Sequence, residues 1–247
     1  VAVKIIFINK IEKKLTDSII IKKTNMKNNT HFGIHPSVRL QELYETQYFQ
    51  GASPEGAKVI FIGRDANWKI DIEQDPIFPK VVEYLEDGVQ FWDKYKTHHP
   101  FLLDQYKGDG RRYHKMFSKI GLTDQHKNEV SFVELLKFPT YGMAGKNRKD
   151  FLSHFLSDSN RSHLLMLDSL FQDQNKIIFI AWGLINDIKA MSAELNIFNK
   201  IKAIDMTALN INSVNSIQNI HIHKHFSDSI SNDTLEKMKS IIEEKTY

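Results

Sequence analysis

Apolar residues along this chain follow two rhythms. Continuous β-branched runs, "KVIFI" at 58–62, "EVSFVELL" at 129–136 and "KIIFIAWG" at 176–183, predict strands buried on both faces, because a strand with one wet face would alternate. Between them apolar positions recur every three or four residues, as in Tyr113, Met116, Phe117 and Ile120 before Gly121, and this spacing predicts helices. The resulting order is helix 36–48, strand 58–62, helix 79–94, helix 111–120 and strand 129–136. It continues with helices at 149–156 and 162–171, strand 176–183, helix 184–195, short strands at 201–206 and 218–223, and a terminal helix from near Asn232. Such alternation predicts an α/β fold, a three-layer α/β/α sandwich on a mainly parallel sheet. Active groups in such sheets gather at the carboxyl ends of the strands.

Composition narrows the classes of function. With 247 residues, 41% of them apolar, the chain can bury one substantial core, and 26–247 reads as one domain. Residues 1–25, rich in Ile, Lys and Asn and free of Gly and Pro, read as a peripheral leader, with Met26 a candidate start. The absence of cysteine excludes a disulfide framework, thiolate metal sites and a cysteine nucleophile, and it fits a reducing cytoplasm. No apolar run approaches the roughly 18 residues that span a bilayer. A net charge of +3 decides little, but local clusters at Arg111-Arg112 and 146–149 leave room for a polyanionic partner. No glycine-rich phosphate loop or serine nucleophile elbow is present.

Three strand ends carry the chemistry: "GRDANW" after the first, "VELLKFPTYG" at the second and "HIHKHFSDS" at the last. With "GRRYHKMFSKIGLT" and "IIFIAWG" in between, this succession resembles the uracil-DNA glycosylase superfamily, particularly its mismatch-specific and thymine-DNA glycosylase-like branch. That family has Gly-X-Asp/Asn-Pro after the first core strand, an Asn-containing second strand end running into Pro-Thr, a strand ending in Gly, and His-Pro-Ser before a terminal helix. The likeness runs from about Val59 to Glu244. It implies a monomeric, cofactor-free and metal-independent DNA glycosylase, with Asp65 orienting the attacking water and His225 bonding the base O2 as charge develops. With no obvious buried lysine at the strand ends, a monofunctional enzyme that leaves an abasic site is expected. Phe226 stands where the family has Pro.

The departures bear on the substrate. Glu134 occupies the position where uracil-reading members carry Asn, and a carboxylate only accepts hydrogen bonds, so its natural partner is the N4 amine of cytosine rather than the edge of uracil. If its pKa is raised by burial, Glu134 also becomes a proton donor to a poor leaving group. Asn67 and Trp68 replace the Tyr-His whose tyrosine excludes a C5 substituent in the uracil-specific branch. Together these changes point to a C5-modified cytosine. By resemblance, the implied role is defence against phages with glucosylated hydroxymethylcytosine, with uracil or mismatched-thymine repair as the alternative. Trp68 and Phe78 are candidates to stack on the flipped base, since the stretch from 69 to 106 is dense in aromatics.

DNA engagement would draw on Arg111, Arg112, Lys146, Arg148 and Lys224 for phosphates, Ser227 and Ser229 for hydroxyl contacts, and Ile230 as a wedge filling the gap in the stack. Two rival readings belong to other classes. His221, His223 and His225 alternate, so on one strand face they could hold a metal for a hydrolase. A catalytically silent modified-base reader would use the same pocket. His98 and His99 are set aside, because adjacent residues on a strand point apart.

Overall fold

The computed structural model describes residues 31–192 and 195–246. The leader proposed at 1–25 lies outside the described residues. Elements run in the order β1 (Gly33–Ile34), α1 (Val38–Thr46), β2 (Phe49–Gly51), β3 (Val59–Gly63), β4 (Ala66–Asn67), α2 (Phe78–Glu86), α3 (Gly88–Tyr95), α4 (Arg111–Ser118), β5 (Val130–Glu134) and β6 (Pro139–Tyr141). They continue with α5 (Arg148–Phe155), α6 (Asp158–Gln172), β7 (Ile177–Ala181), α7 (Trp182–Met191), α8 (Asn199–Lys202), β8 (Asn215–Ile217), β9 (Ile220–His223) and α9 (Asn232–Thr246).

The main sheet has the strand order β2-β5-β3-β7-β9-β8. Its four inner strands are parallel, and β2 and β8 close the two edges antiparallel. The continuous apolar runs of the sequence are explained by burial on both faces. Ile60, Ile62, Ile178 and Ile180 pack with Phe155, Leu167 and Ile185 of the helices on one side. Val59, Phe61, Ile177 and Phe179 pack with Phe117 of α4 and Leu235 and Met238 of α9 on the other. The Phe61 and Phe179 rings stack across neighbouring strands with centroids 4.9 Å apart. The fold is therefore an α/β protein with a mixed, mainly parallel central sheet covered by helices. A third cluster, built from α1, α2, α3 and the loops around Trp68 and Phe101, extends beyond the sheet.

Two expected elements differ. The helix expected at 79–94 is two, because Asp87 leaves helical geometry and accepts a hydrogen bond from Gln90 N, capping α3. Gly88 then packs so tightly on β2 that a Cβ would lie 2.6 Å from Gly51 N. The strand expected at 201–206 is instead the helical turn α8 followed by a 3₁₀ turn. Ile201 and Ile204, three apart, both reach the core, and Asp205 caps the second turn through Thr207 N. β1, β4 and β6 form a small separate sheet, too short to leave an alternating pattern.

Candidate active site

The two acidic strand ends are neighbours. β3 and β5 lie side by side in parallel, with Gly63 and Glu134 as register partners, so Glu134 and the Asp65 that follows Gly63 emerge at the same carboxyl edge. The small sheet ties the chain beyond them together. β4 pairs in parallel with β6, and β1 pairs antiparallel with β6 on its other side. This pairing carries Thr140 to Asp65, where Thr140 Oγ1 donates to Oδ2 at 2.6 Å. Asn67 Nδ2 donates to the same oxygen at 3.3 Å and also to the Gly142 carbonyl.

Both carboxyls open into one cavity of about 500 Å³. Its walls are aromatic and polar at once: Tyr44, Tyr84, Tyr113, Phe101, Trp68 and Phe132 alternate with His98, His99 and His114. The His99 and His114 rings stack at 3.5 Å, and His98 Nε2 lies 3.3 Å from His114 Nδ1. Burial holds all three imidazoles neutral, His98 and His99 far below the usual histidine range and His114 at about 3. His99 Nδ1 accepts from Phe101 N, which leaves its hydrogen on Nε2. The Tyr44 hydroxyl accepts from Trp68 Nε1 and Gln50 Nε2, both at 3.2 Å.

The carboxyls are held differently. Burial pushes Glu134 up to about 8, and the charge of Asp65 adds to the effect. Burial also raises Asp65, but the hydrogen bonds from Thr140 and Asn67 oppose it, followed by the charge of Arg64. No hydrogen bond among the described residues reaches the Glu134 carboxyl. Within the pair the donors favour the charged form at Asp65, and Glu134, which has none, is the member whose proton is held up to about pH 8.

Arg64 turns away from Asp65 to the buried Asp187, donating through Nε at 3.1 Å and Nη2 at 2.9 Å. At the cavity rim His225 is exposed; its Nδ1 accepts from Ser227 N at 3.2 Å, and its ring lies 5.3 Å from Tyr113. Desolvation against the rim and then the charge of Arg64 lower its pKa.

Of the residues singled out from the sequence, Asp65, Glu134, Asn67, Trp68, His225 and Ser227 all line this cavity. Trp68 is wall rather than free platform. Its indole is buried, stacked near-parallel on His99 and edge-on to Phe101. Phe78 does not line the cavity; it starts α2 and packs half-buried against the α1–α3 cluster.

The residues expected to contact DNA divide similarly. Arg111 is turned inward, donating to the carbonyls of Leu103, Tyr106 and Leu102, and so clamps its own loop rather than offering a cation to phosphate. Arg148 shares the buried Asp187 with Arg64. Arg112 and Lys146 are exposed. Lys224 donates to Asn212 Oδ1 at 3.2 Å and, with Ser229, borders a small hollow before α9. Ile230 is no wedge, because it is buried with Phe226, Leu235 and Met238 in the core beneath that helix.

The three-histidine metal reading also fails geometrically. β9 ends at His223, so His225 leaves the strand for the cavity rim. His221 Nδ1 lies 2.9 Å from Ser216 Oγ, while His223 Nδ1 meets the Lys224 carbonyl at 2.6 Å. Among the described residues no group of three or more His, Asp or Glu side chains converges to hold a metal.

Sequence reasoning missed Tyr44, Thr140 and the three buried imidazoles. His98 and His99 lie not on a strand but in the turn leading into Pro100, so both reach the cavity. The aromatic density of the segment was their only signal. Thr140 could have been found only from the pairing of β4 with β6. Compared with protein-family models, curated proteins and solved structures, the chain matches none. Among the described residues no helix is long and apolar enough to cross a membrane.

Proposed function

We propose that this chain is a monofunctional DNA glycosylase that takes an extruded, C5-modified cytosine into the cavity and hydrolyses its N-glycosidic bond, leaving an abasic site. One observation carries the reading: two carboxyls from adjacent parallel strands enter a single aromatic-lined cavity, both with proton affinity raised by burial, and only Asp65 has hydrogen-bond donors that oppose the rise. Cleavage of the bond builds positive charge on the sugar and negative charge on the base. Asp65, oriented by Thr140 and Asn67, accepts a proton from the water that attacks C1′, and its charge favours the sugar cation.

Glu134 donates its proton to ring N3 as the C1′–N1 electron pair passes into the base. The base leaves neutral, and a proton moving from Asp65 to Glu134 restores the pair. A carboxylic acid presents a donor beside an acceptor, the complement of cytosine's N3 and N4 amine. Uracil gains little from this donor, since its N3 already carries hydrogen. His225, at the rim, is within the cavity's reach as a partner for the base O2.

Supporting the monofunctional step, no lysine among the described residues lines the cavity. Lys137, the lysine nearest the second strand end in sequence, faces a different hollow. The cavity volume falls within the range of small-molecule sites, about 300–1,000 Å³, and leaves room beyond a pyrimidine ring for a C5 substituent.

The test is incubation with oligonucleotides containing uracil, mismatched thymine, 5-hydroxymethylcytosine or its glucosylated form, followed by alkali. Strand cleavage at a modified cytosine, lost in Asp65→Asn, is the expected result. Cleavage at uracil alone would overturn the assigned base. Absence of cleavage on every substrate, with free base undetected by chromatography, would overturn the enzyme.

A further inference from the structure

The seat of Glu134 depends on what its neighbour lacks. Its carboxyl folds back across the end of β3 and lies over Gly63, where a Cβ would sit 1.9 Å from Oε2 and 2.5 Å from both Cδ and Oε1. Gly63 lies outside the left-handed region that calls for glycine, and the three nearest atoms such a Cβ would meet all belong to this carboxyl. Backbone conformation therefore gives no reason for glycine here. The carboxyl does.

We propose that Gly63 is a positioning residue, its bare Cα forming the seat on which the Glu134 carboxyl rests beside Asp65. The inference rests on the reading of Glu134 as the proton donor of the proposed reaction. The surrounding groups explain why the seat matters. Asp65 raises the proton affinity of Glu134, and the charge of Glu134 in turn acts on the phenols of Tyr44, Tyr84 and Tyr113 from α1, α2 and α4. From below, His163 Nε2 donates to the Glu134 carbonyl at 2.7 Å, fixing the backbone, so that only the side chain is free to move.

Gly63→Ala tests this directly, because the atoms displaced are the far end of a flexible side chain and the strand can stay where it is. The Glu134 carboxyl is followed by carbon-detected NMR through a pH titration, alongside excision rates on a modified-cytosine oligonucleotide. Wild type is expected to titrate at about 8. In Gly63→Ala the titration falls toward the ordinary glutamate range, excision drops by about a hundredfold, the scale of a lost general acid, and the alkaline limb of the rate profile disappears. An unchanged titration and rate in Gly63→Ala would overturn the proposal.

Should Gly63→Ala fail to fold, Gly63→Ala with Glu134→Ala must restore the melting temperature, since the colliding group is gone; failure to restore it also overturns the proposal. Wild type that excises nothing, with a titration that still moves in Gly63→Ala, would sink the glycosylase reading and uphold the seat.

Discussion

Two hollows lie back to back on either side of Tyr44. The larger, about 630 Å³, is lined by Gln41, Glu45, Tyr48, Lys137, Phe138, Ser159, His163 and Met166. The smaller, about 500 Å³, holds Asp65, Glu134 and the imidazole wall. Volume alone would favour the first. What separates them is convergence: in the smaller hollow two acids from neighbouring strands meet with their protons unequally held, whereas the larger mixes one lysine and one glutamate with no such pair. The candidate site is therefore chosen by the coupled pair rather than by the size of the hole.

The largest effect expected from breaking this contrast is at Asp65. Asp65→Asn should reduce excision by about 10³-fold or more in single-turnover assays, on the scale of losing a principal catalytic group. Next is Glu134→Gln, with a loss of about 10²-fold below pH 8 and a flattened alkaline limb. Wild type should lose rate as pH rises through about 8, where Glu134 surrenders its proton. It should also lose rate on acidification, at a pH above the ordinary aspartate range, because the Asp65 pKa is raised.

The same substitution reports on stability. The folded protein holds the Glu134 proton more tightly than the unfolded chain does, so stability falls as pH rises from the ordinary value of 4.5 to about 8. Glu134→Gln escapes that loss. Its melting temperature should exceed that of wild type at pH 8, with the gap closing near pH 4.

A smaller effect is expected at Thr140→Val, which removes one of the two donors that oppose the burial-raised proton affinity of Asp65. A hydrogen bond to a charged group is worth about 1.5–3 kcal/mol, so excision at neutral pH should fall by roughly tenfold or more and the acid limb should move upward. The smallest effect belongs to the other hollow: Lys137→Ala should leave excision within about twofold of wild type, inside the ordinary scatter of surface substitutions. A strong loss there would mean that the wrong hollow had been assigned the chemistry.

Much of this arrangement was legible in the chain. "KVIFIGRD" and "VSFVELL" announce buried parallel strands that deliver Asp65 and Glu134, since apolar continuity locates a strand and an acidic residue at its carboxyl end marks its mouth. Pairing was not legible. Thr140 reaches Asp65 across 75 positions through two strands of two and three residues, too short for any periodicity.

Roles of cations were also hidden, because Arg111 and Arg148 look alike in sequence to Arg112, and only the carbonyls and the Asp187 carboxylate that claim them reveal the difference. Ile230 failed for a related reason. An apolar residue before a helix serves either as a probe of a partner or as the helix's anchor, and here α9 needs the anchor.

The division of labour between sheet and insertion has a practical consequence. Both acids spring from strand ends stitched by the β1-β6-β4 ribbon, whereas Tyr84, His98, His99, Phe101, Tyr113 and His114 come from the stretch between β4 and β5. Under the proposed function, reshaping that stretch would alter which base is admitted while leaving the two acids in place, so retargeting by loop exchange should begin there and stop short of "GRDAN".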